Sequence, residues 1–464
     1  MNTRNLLLDT DSYKTTHYLQ YPKGTEYVSS YIESRGGRFN RTVFFGLQPI
    51  LAELEKGITA EDVQEAEDFI PRHGMANCNY EGYKLLLEKY KGKLPISIYA
   101  VPEGTVMPTS NVMVQVVNTD PDFYWLTSYL ETKLLRVWYP TTVATLSHMI
   151  KRLVYQSLLR TSENPDEQIN FKLHDFGCRG ASSLETASIG GCAHLVNFFG
   201  SDTIPGIRYA KKYYVEDMAG FSIDATEHSV MTAKGRDGEL DMLNHVIDLF
   251  AKPGKMFAVV ADSYDIWKFI RQYLSIDVRE KLINSGAKLI VRPDSGNPVA
   301  MVRDVIKALM NEFGYTTNKK GFKVLPPYLG VIQGDGVNYD SIKDILLETE
   351  ANKFSTDNIA FGMGGALLQN LDRDFLRFAM KASARYAQGK WHDVYKDPVT
   401  DSGKKSKKGR LALVKINGQY ATVPYERANR YLSGNQLVEV FRNGRTLKVW
   451  HFKTIRTRAN QAIA

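Results

Sequence analysis

Only three cysteines occur in 464 residues, Cys78, Cys178 and Cys192, and they form neither a CxxC pair nor a zinc-ligand spacing. An odd count without a pairing pattern argues against a disulfide framework. No apolar run approaches the roughly 20 residues that a membrane-spanning helix needs. The first residues hold three leucines, but Asp9 and Asp11 follow at once. That stretch is too short and too acidic for a signal-peptide core. Also missing are a GxxxxGKS/T loop and a complete GxGxxG, which removes P-loop and dinucleotide-binding enzymes from consideration. Together these absences predict a cytoplasmic chain with no membrane partner.

What is present is ordinary enough to fold. Hydrophobic residues make up 43% and charged residues 24%, close to the globular average and far from a disordered composition. The length exceeds that of a typical single core, so two domains are expected. A net charge of +8, from 59 basic and 51 acidic residues, suits an anionic partner, either a phosphorylated metabolite or nucleic acid.

The middle of the chain repeats one pattern: a short β-branched run, a polar glycine-bearing loop, then an amphipathic stretch. Four units read clearly. Phe257–Val260 runs into Asp262-Ser263-Tyr264-Asp265, and Lys288–Val291 into Arg292-Pro293-Asp294-Ser295-Gly296. Leu329–Ile332 runs into Gln333-Gly334-Asp335-Gly336, and Asn358–Phe361 into Gly362-Met363-Gly364-Gly365. Three further loops begin at His174, Gly200 and Thr226. Short, continuous apolar runs followed by helices read as buried parallel strands. Such units in series predict an α/β barrel over residues 146–371, with reactive groups on the loops at the carboxyl ends of its strands.

The flanks differ. Leu126, Leu130, Leu134 and Val137 sit at helical spacing, so 123–138 is expected to be a buried helix. Asn417-Gly418 and Asn443-Gly444 each lie between alternating runs, Leu411–Ile416 with Tyr420–Val423 and Leu437–Phe441 with Thr446–Trp450. Asn-Gly favours two-residue hairpin turns because both turn residues need positive φ. A mixed α+β domain is therefore expected from both chain ends, 1–145 with 372–464. Lys396–Gly409, polar and lysine-rich, reads as a mobile loop.

Several loop residues suit phosphate and sugar chemistry. Gly364 and Gly365 let backbone N–H groups approach an anion before a helix begins, although the same pattern serves a plain tight turn. Asp265, Asp294 and Asp335 each follow a strand, where carboxylates can take sugar hydroxyls or hydrated Mg²⁺; Asp265 could equally cap the helix at Ile266. Arg179, Arg292 and Arg373 fit bidentate phosphate contacts. Phe176, a ring among polar residues, could stack on a flat ligand or close the core.

These loops, in this order, resemble the type II phosphoribosyltransferases that make nicotinamide mononucleotide. The likeness covers nearly the whole chain, including Asp9–Lys14, Glu33-Ser34-Arg35, Trp138–Thr145, Lys172–Gly177, Asp262–Ile266, Ile290–Pro298, Val331–Val337 and Ser406–Arg410. The resemblance implies that nicotinamide stacks on Phe176, with Tyr13 of a second subunit on the other face, and that Asp202 accepts from the carboxamide. It implies that Asp294, Gly334 and Asp335 hold the ribose of phosphoribosyl pyrophosphate and that Arg292 bridges ribose and phosphates. Gly364, Gly365 and Arg373 would take the 5′-phosphate. Arg179 and His228 would meet the pyrophosphate, with Arg35, Lys396 and Lys404 reaching phosphates in part from the partner of a homodimer. Mg²⁺, with Asp265 as a ligand directly or through water, and ATP, acting through phosphorylation of His228, are the implied cofactor and coupling substrate.

Ala261, Met363 and Cys178 depart from animal members, and the stretch from Arg35 to Thr42 is short, which points to a microbial or viral member. The nearest rival is a nicotinate enzyme, disfavoured because Asp202 would repel a carboxylate. A nucleic-acid-binding protein using the run Lys404–Arg410 is disfavoured because that run contains no aromatic residue to stack on bases.

Overall fold

Each β-branched run of the middle segment becomes a short parallel strand, and the stretch after it becomes helical. In the computed structural model, which describes residues 5–400 and 405–463, the strands are β1 (Leu173–Asp175), β2 (Gly200–Ser201), β3 (Asp224–Ala225), β4 (Met256–Val260), β5 (Lys288–Arg292), β6 (Leu329–Gln333) and β7 (Ile359–Met363). Their order in the sheet is β2-β1-β7-β6-β5-β4-β3, every pair parallel. Apart from β2 and β3, which are the two ends of this order, strands consecutive in the chain are neighbours in space, and β2 makes one isolated parallel bridge, Gly200 to Phe221, to the segment that leads into β3. This is the curled α/β sheet that the strand–loop–helix pattern predicts. One face of the strands is apolar and buried, with Phe257, Val259, Leu289, Val291 and Phe361 all buried, whereas on the other face of β5 Lys288, Ile290 and Arg292 are part-exposed.

The covering helices obey the same logic. Pro298–Phe313 starts at the cap Asn297, whose side chain accepts from Ala300 N–H, and buries Val302, Val305, Ile306 and Leu309 at helical spacing. Tyr339–Ala351 opens with a capping box on Asn338 and Ser341 and buries Ile342, Ile345 and Leu346.

The chain divides into two units, Met1–Thr145 with Tyr213–Val215 and Asp372–Ala459, and Leu146–Lys212 with Glu216–Leu371 and Asn460–Ala464. The second unit is the α/β sheet with its helices. The first is built on a seven-stranded antiparallel sheet in the order Lys390–Asp393, Phe378–Ala387, Tyr27–Ser34, Val112–Asn118, Ile96–Ala100, Val438–Arg442 and Arg445–Thr446. Strands from both ends of the chain therefore lie in one sheet.

Two expectations for the flanks change, the single helix and the second hairpin. Leu126, Leu130, Leu134 and Val137 are buried, but the backbone forms two short helices, Leu126–Tyr129 and Glu131–Leu135, before a 24-residue helix over Trp138–Thr161. The first Asn-Gly hairpin forms as read, Leu411–Ile416 with Gln419–Pro424, with φ of 50° at Asn417 and 79° at Gly418. The second turns at Asn443-Gly444, yet its return strand is only Arg445–Thr446. The residues on both sides of the lysine-rich loop are held: Lys396 N–H donates to Ser406 Oγ at 2.9 Å, and Gly409 N–H to Ser383 O at 2.8 Å. No helix among the described residues is long and apolar enough to cross a membrane.

Candidate active site

The turn after β1 sets the first wall. Asp175 is buried, and burial pushes its carboxyl above the usual range against the hydrogen bond from Gly177 N–H. That bond, at 2.7 Å, closes the turn, while Phe176 N–H donates to Met363 O of β7 at 3.0 Å. The Phe176 ring then lies across the ends of two other strands. A Cβ on Gly362 would sit 2.0 Å from the ring, and one on Gly334 would come within 3.4 Å of Phe176 and of Asp294 Oδ1. Glycine at 362 is what lets the ring come this close to the β7 backbone. Gly180 approaches Gly365 just as closely, a Cβ there falling 3.5 Å away, so the turn carrying Arg179 runs beside the glycine pair at the end of β7.

Asp202 follows β2. Its backbone N–H donates to Asp175 O at 3.0 Å. Its Oδ1 meets His174 Nε2 at 2.9 Å and accepts from the Ser222 hydroxyl. Burial would raise this carboxyl, but the bonds to His174 and Ser222 and the charge of Arg292 outweigh it and hold Asp202 below the usual range. Asp202 is therefore a carboxylate at neutral pH, and neither bond uses Oδ2. The His174 ring lies 5.3 Å from that of Phe176, which ties this carboxylate to the stacking wall.

At the ends of β3, β4 and β5 a second cluster forms. His228 opens the short helix His228–Met231. Its Nε2 lies 3.1 Å from Asp262 Oδ1 and its Nδ1 3.8 Å from Asp294 Oδ2. Asp262 also accepts from Asp294 N–H at 2.9 Å and from the Ser295 hydroxyl through Oδ2. Burial acts to raise its carboxyl, yet those donors and His228 lower it on balance. Of the two carboxylates, Asp262 is the nearer, which favours the proton on Nε2 and, in that tautomer, the lone pair on Nδ1. Arg292 Nε is buried without a hydrogen-bond partner, 3.8 Å from Asp294 Oδ1. An orphaned guanidinium donor beside a carboxylate, a histidine and a half-buried ring is arranged for a polar ligand that supplies acceptors.

The other residues singled out from sequence are distributed as follows. Asp265 Oδ1 accepts from Trp267 and Lys268 N–H at 2.9 and 3.1 Å, so this oxygen is committed to capping a helix. The carboxylate that meets His228 is Asp262, which the sequence reading passed over. Asp335 is exposed on the turn after β6, next to Gly334. Arg373, Arg35, Lys396 and Tyr13 belong to the other unit; Lys404 lies outside the described residues. Arg373 is 54% exposed on the turn capped by Asp372. Tyr13 is 58% exposed.

Around Arg35, that other unit gathers more cations than it can neutralise. Arg35 Nε meets Glu33 at 2.9 Å, while its buried Nη2 has no hydrogen-bond partner. Lys407 also pairs with Glu33, and Lys14 with Glu131. Lys381, which nothing in the sequence singled out, is held below the usual lysine range by burial, with the charges of Arg35, Lys14 and Lys396 adding to that effect and Glu131 opposing it. Crowded cations of this kind disfavour one another's charge, and Glu131, 3.7 Å from Lys381, offsets only part of it.

Residues 171–445 match the model of the nicotinate phosphoribosyltransferase family, and residues 5–98 that of the nicotinamide phosphoribosyltransferase N-terminal domain. The chain is 48% identical to a nicotinamide phosphoribosyltransferase of Xanthomonas campestris over 99% of this chain and 98% of that one. It is 31% identical to the enzyme of that name from Acinetobacter baylyi over 98% and 96%. Among solved structures, nicotinate-nucleotide pyrophosphorylase from Pyrococcus furiosus shares the fold at a TM-score of 0.62 and 16% identity, covering 99% of this chain and 96% of that one. Human nicotinic acid phosphoribosyltransferase does so at 0.57 and 14%, over 98% and 93%.

Proposed function

Because the chain belongs to the nicotinate phosphoribosyltransferase family and is itself a phosphoribosyltransferase, we propose that it joins nicotinamide to 5-phosphoribosyl 1-pyrophosphate, giving nicotinamide mononucleotide and pyrophosphate for NAD synthesis. The observation that carries the choice of base is Asp202, held as a carboxylate beside the Phe176–His174 wall. An amide NH₂ would donate to its free Oδ2, whereas the carboxylate of nicotinate would be repelled.

The pyridine nitrogen is already nucleophilic, so the reaction needs positioning and charge stabilisation more than a base. Stacking on Phe176 would fix the ring plane, and Asp202 its rotation within that plane. As the bond to pyrophosphate breaks, positive charge grows on the ribose and negative charge on the leaving oxygens. Asp294 would favour the first, and Arg292 and Arg179 the second. Gly334 and Asp335 would hold ribose hydroxyls, and Gly364 and Gly365 would offer N–H groups to the 5′-phosphate.

Among the described residues no group of three or more His, Cys, Asp or Glu could cage a metal. Mg²⁺ does not need one: it takes one or two carboxylates and completes its shell with water and substrate phosphates. The uncommitted oxygen of Asp265 would take the ion directly or through water, and the ion would supply neutralising charge at the pyrophosphate. Tyr13 would complete the base site from the partner subunit of a homodimer, and Arg35, Lys396 and Lys404 would reach phosphates. In the ATP-coupled cycle, Nδ1 of His228 would take the terminal phosphoryl group, with ADP leaving and water later releasing phosphate.

Two measurements test these assignments. With each base, phosphoribosyl pyrophosphate and Mg²⁺, wild type is expected to favour nicotinamide over nicotinate by at least about a hundredfold in kcat/KM, and Asp202→Asn to lose about tenfold or more of that ratio. Equal use of nicotinate by wild type would sink the assignment of the base. His228→Ala is expected to keep slow ATP-independent synthesis and to lose all stimulation by ATP. Unchanged stimulation would rule out the phosphohistidine.

A further inference from the structure

Charge is spread unevenly along the chain. The last 55 residues hold ten of the 59 lysines and arginines and only two of the 51 acidic residues. That excess of eight equals the net charge of the whole protein, so residues 1–409 are balanced. The excess lies outside the β-strand loops that form the candidate active site.

Part of it forms one connected face of the antiparallel unit. Arg410 stacks on Tyr425, 4.0 Å from the ring centre, and lies 5.4 Å from the centre of Trp391. Tyr425 is 42% exposed and opens the turn Tyr425–Arg430, where Arg427 and Arg430 are exposed. Tyr425 and Arg442 both lie within electrostatic reach of the Tyr99 hydroxyl, and Tyr99 pairs with Glu439 on the strand that ends at Arg442. In that hairpin Arg442 and Arg445 are directly opposed. Like charges facing each other destabilise a two-stranded pair, and Glu439, 2.9 Å from Arg442 Nε, offsets only one of them. Among the described residues no ion pair neutralises Arg427, Arg430 or Arg445.

We propose that this face, carrying Arg410, Tyr425, Arg427, Arg430, Arg442 and Arg445, binds single-stranded nucleic acid. Arginine rather than lysine lines it, which suits phosphate forks and stacking on bases, and Tyr425 supplies an exposed ring already paired with a cation. The lysine run before Arg410 has no aromatic residue of its own; Trp391 and Tyr425 come to Arg410 from other strands and turns. A membrane fits less well, because the exposed apolar side chains of this stretch, Leu432, Leu447 and Val449, lie in loops and are not carried on one amphipathic helix, while the helix Phe452–Asn460 buries Phe452, Ile455 and Ala459. A second copy of the chain fits less well too, since its other 409 residues carry no net charge to complement this surface.

The test is fluorescence anisotropy of the whole protein with a labelled 20-nucleotide poly(U) RNA across a salt series. Expected is binding whose logarithm falls with log salt at a slope of about 3, as for four to five neutralised phosphates on a single strand. Arg442→Glu with Arg445→Glu, and separately Arg427→Glu with Arg430→Glu, should each weaken binding at least about tenfold. Phosphoribosyl transfer and Tm should stay unchanged, and two independent pairs keep the test valid if one disturbs folding. Tyr425→Ala should weaken binding without changing the slope. The proposal is overturned by no binding at low salt, by charge-reversed proteins that bind as wild type, by displacement with phosphoribosyl pyrophosphate, or by anionic vesicles binding where RNA does not.

Discussion

Gly362→Ala is expected to abolish most activity while leaving the protein folded. A Cβ at this position would lie 2.0 Å from Phe176 Cε2 and 2.3 Å from Cδ2, inside any van der Waals limit. The clashing atoms are the far end of a half-exposed side chain, so the ring can swing away without breaking β7. Overpacking of that sort costs about 1–3 kcal/mol, a drop in Tm of a few degrees. The displaced ring, however, is the surface on which the base would stack. We expect kcat/KM for nicotinamide to fall at least about a hundredfold, because a small misplacement forfeits the attack geometry. The decisive control is the double variant. In a Phe176→Ala background the clash no longer exists, so adding Gly362→Ala should cost less than about threefold. Near wild-type kinetics in the single variant, or an undiminished further loss in the double, would show that Gly362 does not act through the ring.

Mixing two inactive proteins is expected to restore activity. If Tyr13 closes the base site of its partner, Tyr13→Ala and Asp294→Ala damage sites through different chains. In a mixed dimer one site collects both defects and the other collects neither. Random exchange of equal amounts makes about half the dimers mixed and about a quarter of all sites intact under two-fold symmetry. The exposure of Tyr13, whose ring meets His17 edge-on at 5.0 Å, suits a residue serving a neighbouring chain. Verified subunit exchange without recovery, from two parents each inactive alone, would falsify the shared site.

The strand framework was legible because buried parallel strands write themselves as apolar runs. β4 to β7 fall within a residue or two of the runs that predicted them. β2 and β3 are two residues long and were visible only through the loops after them. Apolar spacing between Leu126 and Val137 reported which side is buried, not whether the backbone ladder is continuous, and so one helix was read where two short ones stand. The second hairpin's return strand is short: it stops at Thr446, and although Leu447 N–H still donates to Val440 O at 2.8 Å, the Leu447 and Val449 side chains are exposed. In the candidate site, position at a strand end was readable and hydrogen-bond assignment was not. Asp262 and Asp265 share one short loop and look alike in sequence. Only tertiary structure gives the first to His228 and the second to a helix cap. Lys381 stayed hidden because a lysine in a strand of this length reads as facing solvent.

The seam between β2 and β3 bears on how the enzyme would grip its ligands. The two strands do not pair directly; the seam is closed by the segment before β3, with Ser201 N–H donating to Phe221 O at 3.0 Å and Phe221 N–H to Phe199 O at 2.7 Å, and both strands are only two residues long. Sheets open first where the fewest bonds must break together. Asp202 leaves β2 and His228 follows β3, so the residues proposed to choose the base and to take the phosphoryl group ride on the part of the barrel with the least restoring force. Part of the binding energy of any ligand there is then spent on quieting that edge. Anything that braces the edge from outside would tighten binding without touching the pocket.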